Sequence, residues 1–208
     1  MMVAAHQTML APQGAPYRLL DYIKGGGAQF IDTGYQITPT DTIEFEIALG
    51  TITSGDDRTR FIGQIQRPIM VYQISVSTTL VIWQYFANTV SADARTTVAT
   101  NTWYTFRADA QTKVLSIKNS SGTVIATTNA SSAWPTGTAT NPLTLFRRYD
   151  VTTCFDGFCR RFTVDGKHDW RAALDPNGRP CMVDLIDPAN PAYLYNGGTG
   201  EFVPGPDK

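Results

Sequence analysis

Residues 43–49 read IEFEIAL, and the phase of that stretch decides what kind of chain this is. Ile43, Phe45 and Ile47 alternate with Glu44 and Glu46. A period of two belongs to a strand with one face in a core and the other in water; a helix would repeat its apolar residues every three or four. The same reading extends outward. MVYQISVS (70–77) sets Met70, Tyr72, Ile74 and Val76 against Gln73, Ser75 and Ser77. LVIWQYF (80–86), WYTFRAD (103–109), KVLSIKN (113–119), TVIATT (123–128), LTLFRR (143–148) and FCRRFTV (158–164) follow, rich in the β-branched and aromatic residues that pleated surfaces favour.

Turn chemistry separates these runs. KNSSGTV (118–124) joins strands at 113–117 and 123–128 as a hairpin, and VDGK (164–167) and DPNG (175–178) are two further turns. Residues 17–23, YRLLDYI, are the one short stretch with helical spacing. The segments 52–60 and 87–101 read as polar loops. Many strands with no alternating helices predict a sandwich or a barrel.

Composition narrows the partners. With 208 residues, 42% hydrophobic and 17% charged, the chain can bury the core of one domain and carries no signature of disorder. A formal charge of -1 without long charge runs argues against nucleic acid. Arg147-Arg148 and Arg160-Arg161 are expected on solvated strand edges. The first eighteen residues lack the charged and apolar regions of a secretory signal, and no apolar run reaches the roughly 18 residues of a membrane helix. The expectation is a protein made in the cytoplasm, with no membrane partner. Three cysteines, at 154, 159 and 181, cannot complete a disulfide framework. CFDGFC could close a hairpin through Cys154 and Cys159; reduced packing thiols are the plainer expectation.

The final third, FCRRFTVDGKHDWRAALDPNGRPCMVDLIDPANPAYLYNGGTGEFVPG, resembles the C-terminal signature of a concanavalin A-like, LamG-like jelly-roll family common in bacteriophage and gut-bacterial proteins. The positions that carry the resemblance are Asp165-Gly166, Asp184, and Asn196 through Phe202. LLDYIKGGGAQFIDTGY (19–35) is similar to the opening of that family, and NTWYTFRAD and KVLSIKNSSGTVI to its middle hairpin. The resemblance covers roughly residues 19–204. It implies an all-β, two-sheet antiparallel jelly-roll sandwich over residues 19–208, preceded by an N-terminal arm at 1–18. In such a fold the terminal strands lie side by side. Gly25 to Gly27 would then enter the sheet through a tight turn, Gln29, Asp32 and Thr33 would bond backbone at the rim, and the glycines of NGGTG would play the matching part.

The resemblance leaves function open, because such sandwiches serve as lectins, hydrolase scaffolds and adhesive modules. Jelly-roll glucanases set acids on alternate positions of one strand; Glu44 and Glu46 keep two of them and lack the third. The wet face of a strand explains both acids without catalysis. Of the two histidines, His6 lies in the arm and His168 in a turn, and no nucleophile elbow or phosphate loop is present. Fifteen aspartates against three glutamates offer hard oxygen ligands, so Ca²⁺ at Asp56-Asp57, or at Asp150 with Asp156, is the one metal the chemistry suggests. Trp83 and Trp103, inside strands, are expected in the core. Trp134 and Tyr149, in loop-like segments, are the expected glycan platform, with Arg147 and Arg148 as donors.

The expectation is therefore a non-enzymatic virion surface protein of a bacteriophage, a decoration, fibre or tail subunit with a lectin-like sandwich and no obligatory cofactor. Met1, Val3, Leu10 and Tyr17 of the arm would contact other virion subunits in an oligomer or larger assembly. The alternatives are a bacterial carbohydrate-binding module at the cell surface or outside the cell and, more distantly, a glycoside hydrolase.

Overall fold

The computed structural model describes residues 17–26, 29–50, 60–63, 69–75, 80–87, 90–129, 134, 141–147, 155–189, 192–193 and 201–208. Among these residues there are seventeen strands and no helix, hence no helix long and apolar enough to cross a membrane. The early strands are β1 (Arg18–Leu19), β2 (Ile23–Gly26), β3 (Ile31–Asp32), β4 (Ile43–Leu49), β5 (Arg60–Gly63), β6 (Ile69–Ser75), β7 (Leu80–Ala87) and β8 (Val90–Thr97). Then come β9 (Trp103–Asp109), β10 (Val114–Asn119), β11 (Val124–Asn129) and β12 (Thr144–Leu145). The last are β13 (Asp156–Val164), β14 (His168–Leu174), β15 (Pro180–Asp184), β16 (Ala192–Tyr193) and β17 (Val203–Pro204).

They form two antiparallel sheets. The larger runs β11-β10-β9-β4-β13-β14-β15-β16, with β2 also on β13, β1 on β14 and β17 on β2; the smaller runs β3-β12-β5-β6-β7-β8. This is the jelly-roll type of sandwich expected from the sequence. The alternation of IEFEIAL holds: Ile43, Phe45 and Ile47 are buried and Glu44 and Glu46 half-buried on the other face. Phe45 pairs in register with Phe106 of β9 and Phe162 of β13. It stacks on Phe106 at 5.2 Å and on Phe61 of the smaller sheet at 5.4 Å, so one aromatic row joins both layers. Each such fully buried ring contributes about 1.5–3 kcal/mol by leaving water.

The turns at Gly122, Gly166 and Gly178 all use positive φ, the conformation that a glycine adopts without strain. Two expectations of secondary structure fail. Residues 17–23 are not helical, because their backbone is taken by neighbouring strands: Arg18 and Leu19 pair with Leu174 and Ala173. Within 87–101, β8 runs antiparallel to β7 rather than forming a loop, and Ala94 is buried. Small and polar residues there hide the period of two.

Residues 156–164 form one continuous strand, so CFDGFC closes no hairpin, and Cys159 is a free buried thiol. Cys154 lies outside the described residues. Burial drives the Cys159 thiol upward and pushes that of Cys181 up to about 12, which leaves both protonated and inert.

The two ends of the sandwich meet. Val203 and Pro204 pair with Lys24 and Ile23, and Leu20 bridges to Asp207. Gln29 accepts the Gly26 N–H at 2.7 Å, Asp32 the Gly34 N–H at 2.8 Å, and Thr33 Oγ1 donates to the Leu143 carbonyl at 2.9 Å. The rim bonding is thus as expected, but Gly25 works differently. It lies within β2, where a Cβ would stand 2.7 Å from the Phe146 ring; that ring packs on Phe202 at 4.8 Å. Close approach, and not a turn, demands this glycine. Gly27 and the NGGTG glycines lie outside the described residues.

Candidate functional site

The outer face of the larger sheet, turned away from the core, carries two kinds of surface. In β9 the alternation places Trp103, Thr105, Arg107 and Asp109 half-exposed and buries Tyr104, Phe106 and Ala108. Trp103 therefore lies on the wet face, contrary to the expectation of a core position. Its cross-strand partner is Ala48, whose own partner on the far side is Phe158. Phe158 pairs in turn with Lys24 of β2. Tyr22, just before β2, completes a triangle: Tyr22 to Phe158 is 5.1 Å edge-on, Tyr22 to Trp103 6.1 Å, and Trp103 to Phe158 6.3 Å.

Charged groups ring this aromatic corner. The register between β13 and β4 shifts between Cys159 and Arg161, a bulge that turns both Arg160 and Arg161 toward the outer face. Neither arginine lies on a sheet edge, because β13 is flanked by β4 on one side and by β2 and β14 on the other. The Arg160 guanidinium lies 3.7 Å over the Trp103 ring, and Lys24 Nζ 5.3 Å over Phe158, both in cation-π range. Arg160 also lies 3.6 Å from Asp21 and 3.8 Å from Glu46.

Beyond this corner the face is ionic. Asp169 accepts two bonds from Arg161, at 3.1 and 3.4 Å, and two from Arg171, at 2.8 and 3.1 Å. Burial pushes the Asp169 carboxyl up, but the bonds from Arg171 and Arg161 outweigh it and hold the group below its ordinary range. Arg107 reaches Glu44 at 3.5 Å and Asp109 and Asp165 at 3.4 Å. Glu44 and Glu46 share one strand face, as read from the sequence, and each has an arginine against it.

At the rim, two almost fully buried carboxylates tie three loops together. Lys167 donates to Asp41 at 2.6 Å and to the Tyr35 hydroxyl at 2.9 Å, and that hydroxyl donates to Asp41 at 2.7 Å. His168 Nδ1 lies 2.5 Å from Asp184, whose other oxygen accepts the N–H groups of Asp169 and Ile186. His168 opens β14 and stacks on Trp170 at 4.3 Å.

The expected site residues fare differently. Trp134 is 7% exposed and belongs to the core; its indole donates to the Pro39 carbonyl at 2.9 Å, so it presents no platform. Arg147 lies with its guanidinium 3.8 Å over the Phe30 ring. Tyr17 is half-buried and packs, with Leu19, on Ala173, Cys181 and Val183, and Arg18 pairs with Leu174, so the last two residues of the expected arm belong to the sheet. Arg148, Tyr149, Asp56, Asp57, Asp150, Met1, Val3, Leu10 and Trp83 (the last by its side chain) lie outside the described residues. Asp156 keeps a buried Oδ1 without a hydrogen-bond partner beside Gly50. Among the described residues no three His, Cys, Asp or Glu side chains group as metal ligands.

Comparison with known proteins bears on the fold. No family model matches the sequence, and no curated protein does. Among solved structures the chain is similar to the mouse laminin alpha1 chain, domains LG4-5, at 12% identity and a TM-score of 0.50. The match covers 93% of this chain and 47% of that one, so the chain spans about half the length of its neighbour. What the two share is a fold: the two-sheet antiparallel sandwich of the laminin LG, concanavalin A-like type.

Proposed function

We propose that this chain is a non-enzymatic, lectin-like sandwich that binds glycan at the corner formed by Tyr22, Trp103 and Phe158. One observation carries the reading. Beside the ionic stretch of the outer face, and apart from the small apolar cluster under Tyr17 and Leu19, three aromatic rings gather at half exposure within reach of Asp21, Lys24, Glu46 and Arg160. Sugars present an apolar C–H face and a fringe of hydroxyls, and such a corner offers rings for the first and planar polar groups for the second. These rings face away from the main core and lie outside the second apolar cluster.

Hydrolysis is the weaker reading, since Glu44 and Glu46 each lie against an arginine on an open strand face. Within a phage virion, the role suggested by the sequence resemblance, glycan binding would serve attachment to a host surface; within a bacterial module it would serve adhesion to polysaccharide. The two settings separate on deletion of residues 1–16, which should abolish incorporation into particles in the first case and change nothing in the second. The binding itself is tested on a glycan array with the wild-type chain, Trp103→Ala and Phe158→Ala. Specific binding lost in both variants, with the fold intact by circular dichroism, supports the site. Binding unchanged in both removes it.

A further inference from the structure

Arg160 differs most from Arg161 and Arg171, which fork onto Asp169 at 2.8 to 3.4 Å, while Arg107 keeps three long contacts with carboxylates at 3.4 to 3.5 Å. Arg160 donates no hydrogen bond to a carboxylate among the described residues. Its two carboxylate neighbours, Asp21 at 3.6 Å and Glu46 at 3.8 Å, attract it from beyond hydrogen-bond length. Its Nε is buried and has no partner. The bulge at Cys159–Arg161 delivers this side chain to the aromatic corner, and the Trp103 ring beneath it fixes its plane. A planar fork of donors, held flat and flanked by two acceptors it does not touch, is an unfinished hydrogen-bond network.

We infer that Arg160, with Asp21 and Glu46, reads a pair of vicinal hydroxyls on a neutral glycan whose apolar face lies against the aromatic corner. This rests on the glycan reading above and adds the ligand's chemistry to it. A hydroxyl both accepts and donates. One hydroxyl can accept from the guanidinium and pass its own proton toward Glu46; its neighbour does the same toward Asp21. That fills both gaps without adding charge to a cluster already balanced by Lys24 and Arg160 against Asp21 and Glu46. A uronic acid or sulfated sugar would instead bring a further anion between two carboxylates, which repel it.

The test uses the full chain on an array that carries neutral, uronic and sulfated glycans. The strongest neutral ligand is then measured by calorimetry before and after periodate cleavage of its vicinal diols. Neutral ligands should dominate, and periodate treatment should abolish their binding. Arg160→Lys, which keeps the charge and loses the fork, and Arg160→Met should each weaken binding at least about ten-fold, the scale of a lost charge-assisted hydrogen bond. Should neither fold, Asp21→Asn combined with Glu46→Gln carries the same expected loss. A preference for acidic glycans, or survival of binding after periodate, overturns the inference. If Arg160→Met matches the wild type while Trp103→Ala does not bind, the aromatic site stands and the role of Arg160 falls. An array with no ligand at all overturns the glycan reading and this one with it.

Discussion

The aromatic corner and the ionic stretch of the outer face share the same strands and the same backbone ladder, yet they treat their charges in opposite ways. Around Asp169, two arginines fork onto one carboxylate with four bonds of 2.8 to 3.4 Å. Around Trp103, an arginine and two acids stand close without bonding. A residue step of one separates Arg160 from Arg161, and the bulge decides which lies in which region. Saturation of donors marks the part of the sheet that holds itself together. Donors left over beside exposed rings mark the part with capacity for a ligand.

Four measurements break or sharpen that contrast. The largest effect should come from Trp103→Ala, which removes the ring under Arg160 and should cost roughly 2–4 kcal/mol of glycan binding, as interface anchors do. Its melting temperature should fall by only a few degrees, since Trp103 is half-exposed. Equal losses of binding and of the fold would erase the distinction between the regions.

Next, Asp169→Ala strands Arg161 and Arg171 and should lower stability by about 2 kcal/mol, discounted for the partial exposure of all three groups, while binding is untouched. Urea unfolding beside calorimetry separates the two readouts.

Acid should act on the saturated region and the rim first. Burial raises the carboxyls of Asp41, Asp169 and Asp184, but bonds from Lys167, from Arg171 and Arg161, and from the Asp169 N–H and His168 respectively outweigh it, and all three lie below their ordinary range. The unfolded chain therefore binds these protons more tightly than the folded one. The stabilisation is complete above the unfolded value of about 3.9 and disappears as pH falls through the lower folded values. Melting temperature should be level from neutral pH to about 5 and drop below about 4, with a shallower drop in Asp184→Asn. A level profile to the bottom of that range would contradict the assignment.

The smallest effect belongs to Glu44→Gln. Its bond to Arg107 is long and partly exposed, so stability should change by less than about 0.5 kcal/mol. Any glycan cleavage by the wild type that this variant lost would restore the hydrolase reading.

Much of the fold was legible because period-two alternation and glycine turns are local signals: IEFEIAL, the hairpin at Gly122 and the turns at Gly166 and Gly178 all formed where they were read. The site was less so. Trp103 shares its phase with Thr105, Arg107 and Asp109, which was enough to place it on the wet face; its being a tryptophan within a strand argued the other way. Phe158 and Arg160 were hidden by the bulge, since one extra residue breaks alternation and leaves no local mark. Tyr22 sat in a stretch with helical spacing and was placed by strands that lie more than a hundred residues away. Trp134 looked like a loop residue and is buried, because the segment at Pro39 folds over to meet its indole.

The seam between Val203–Pro204 and β2 also sets a timetable. Ile23 and Lys24 leave the ribosome some 180 residues before their partner strand, so that edge of β2 waits unpaired in between. The sheet closes only when the segment through Asp207 is free to dock. The pairings of this domain are thereby mostly distant in sequence, and its folding is expected to be slow by the standard of chains this size. Until then the Tyr22 side chain, against which Gly205 comes to lie, has no cover on that side.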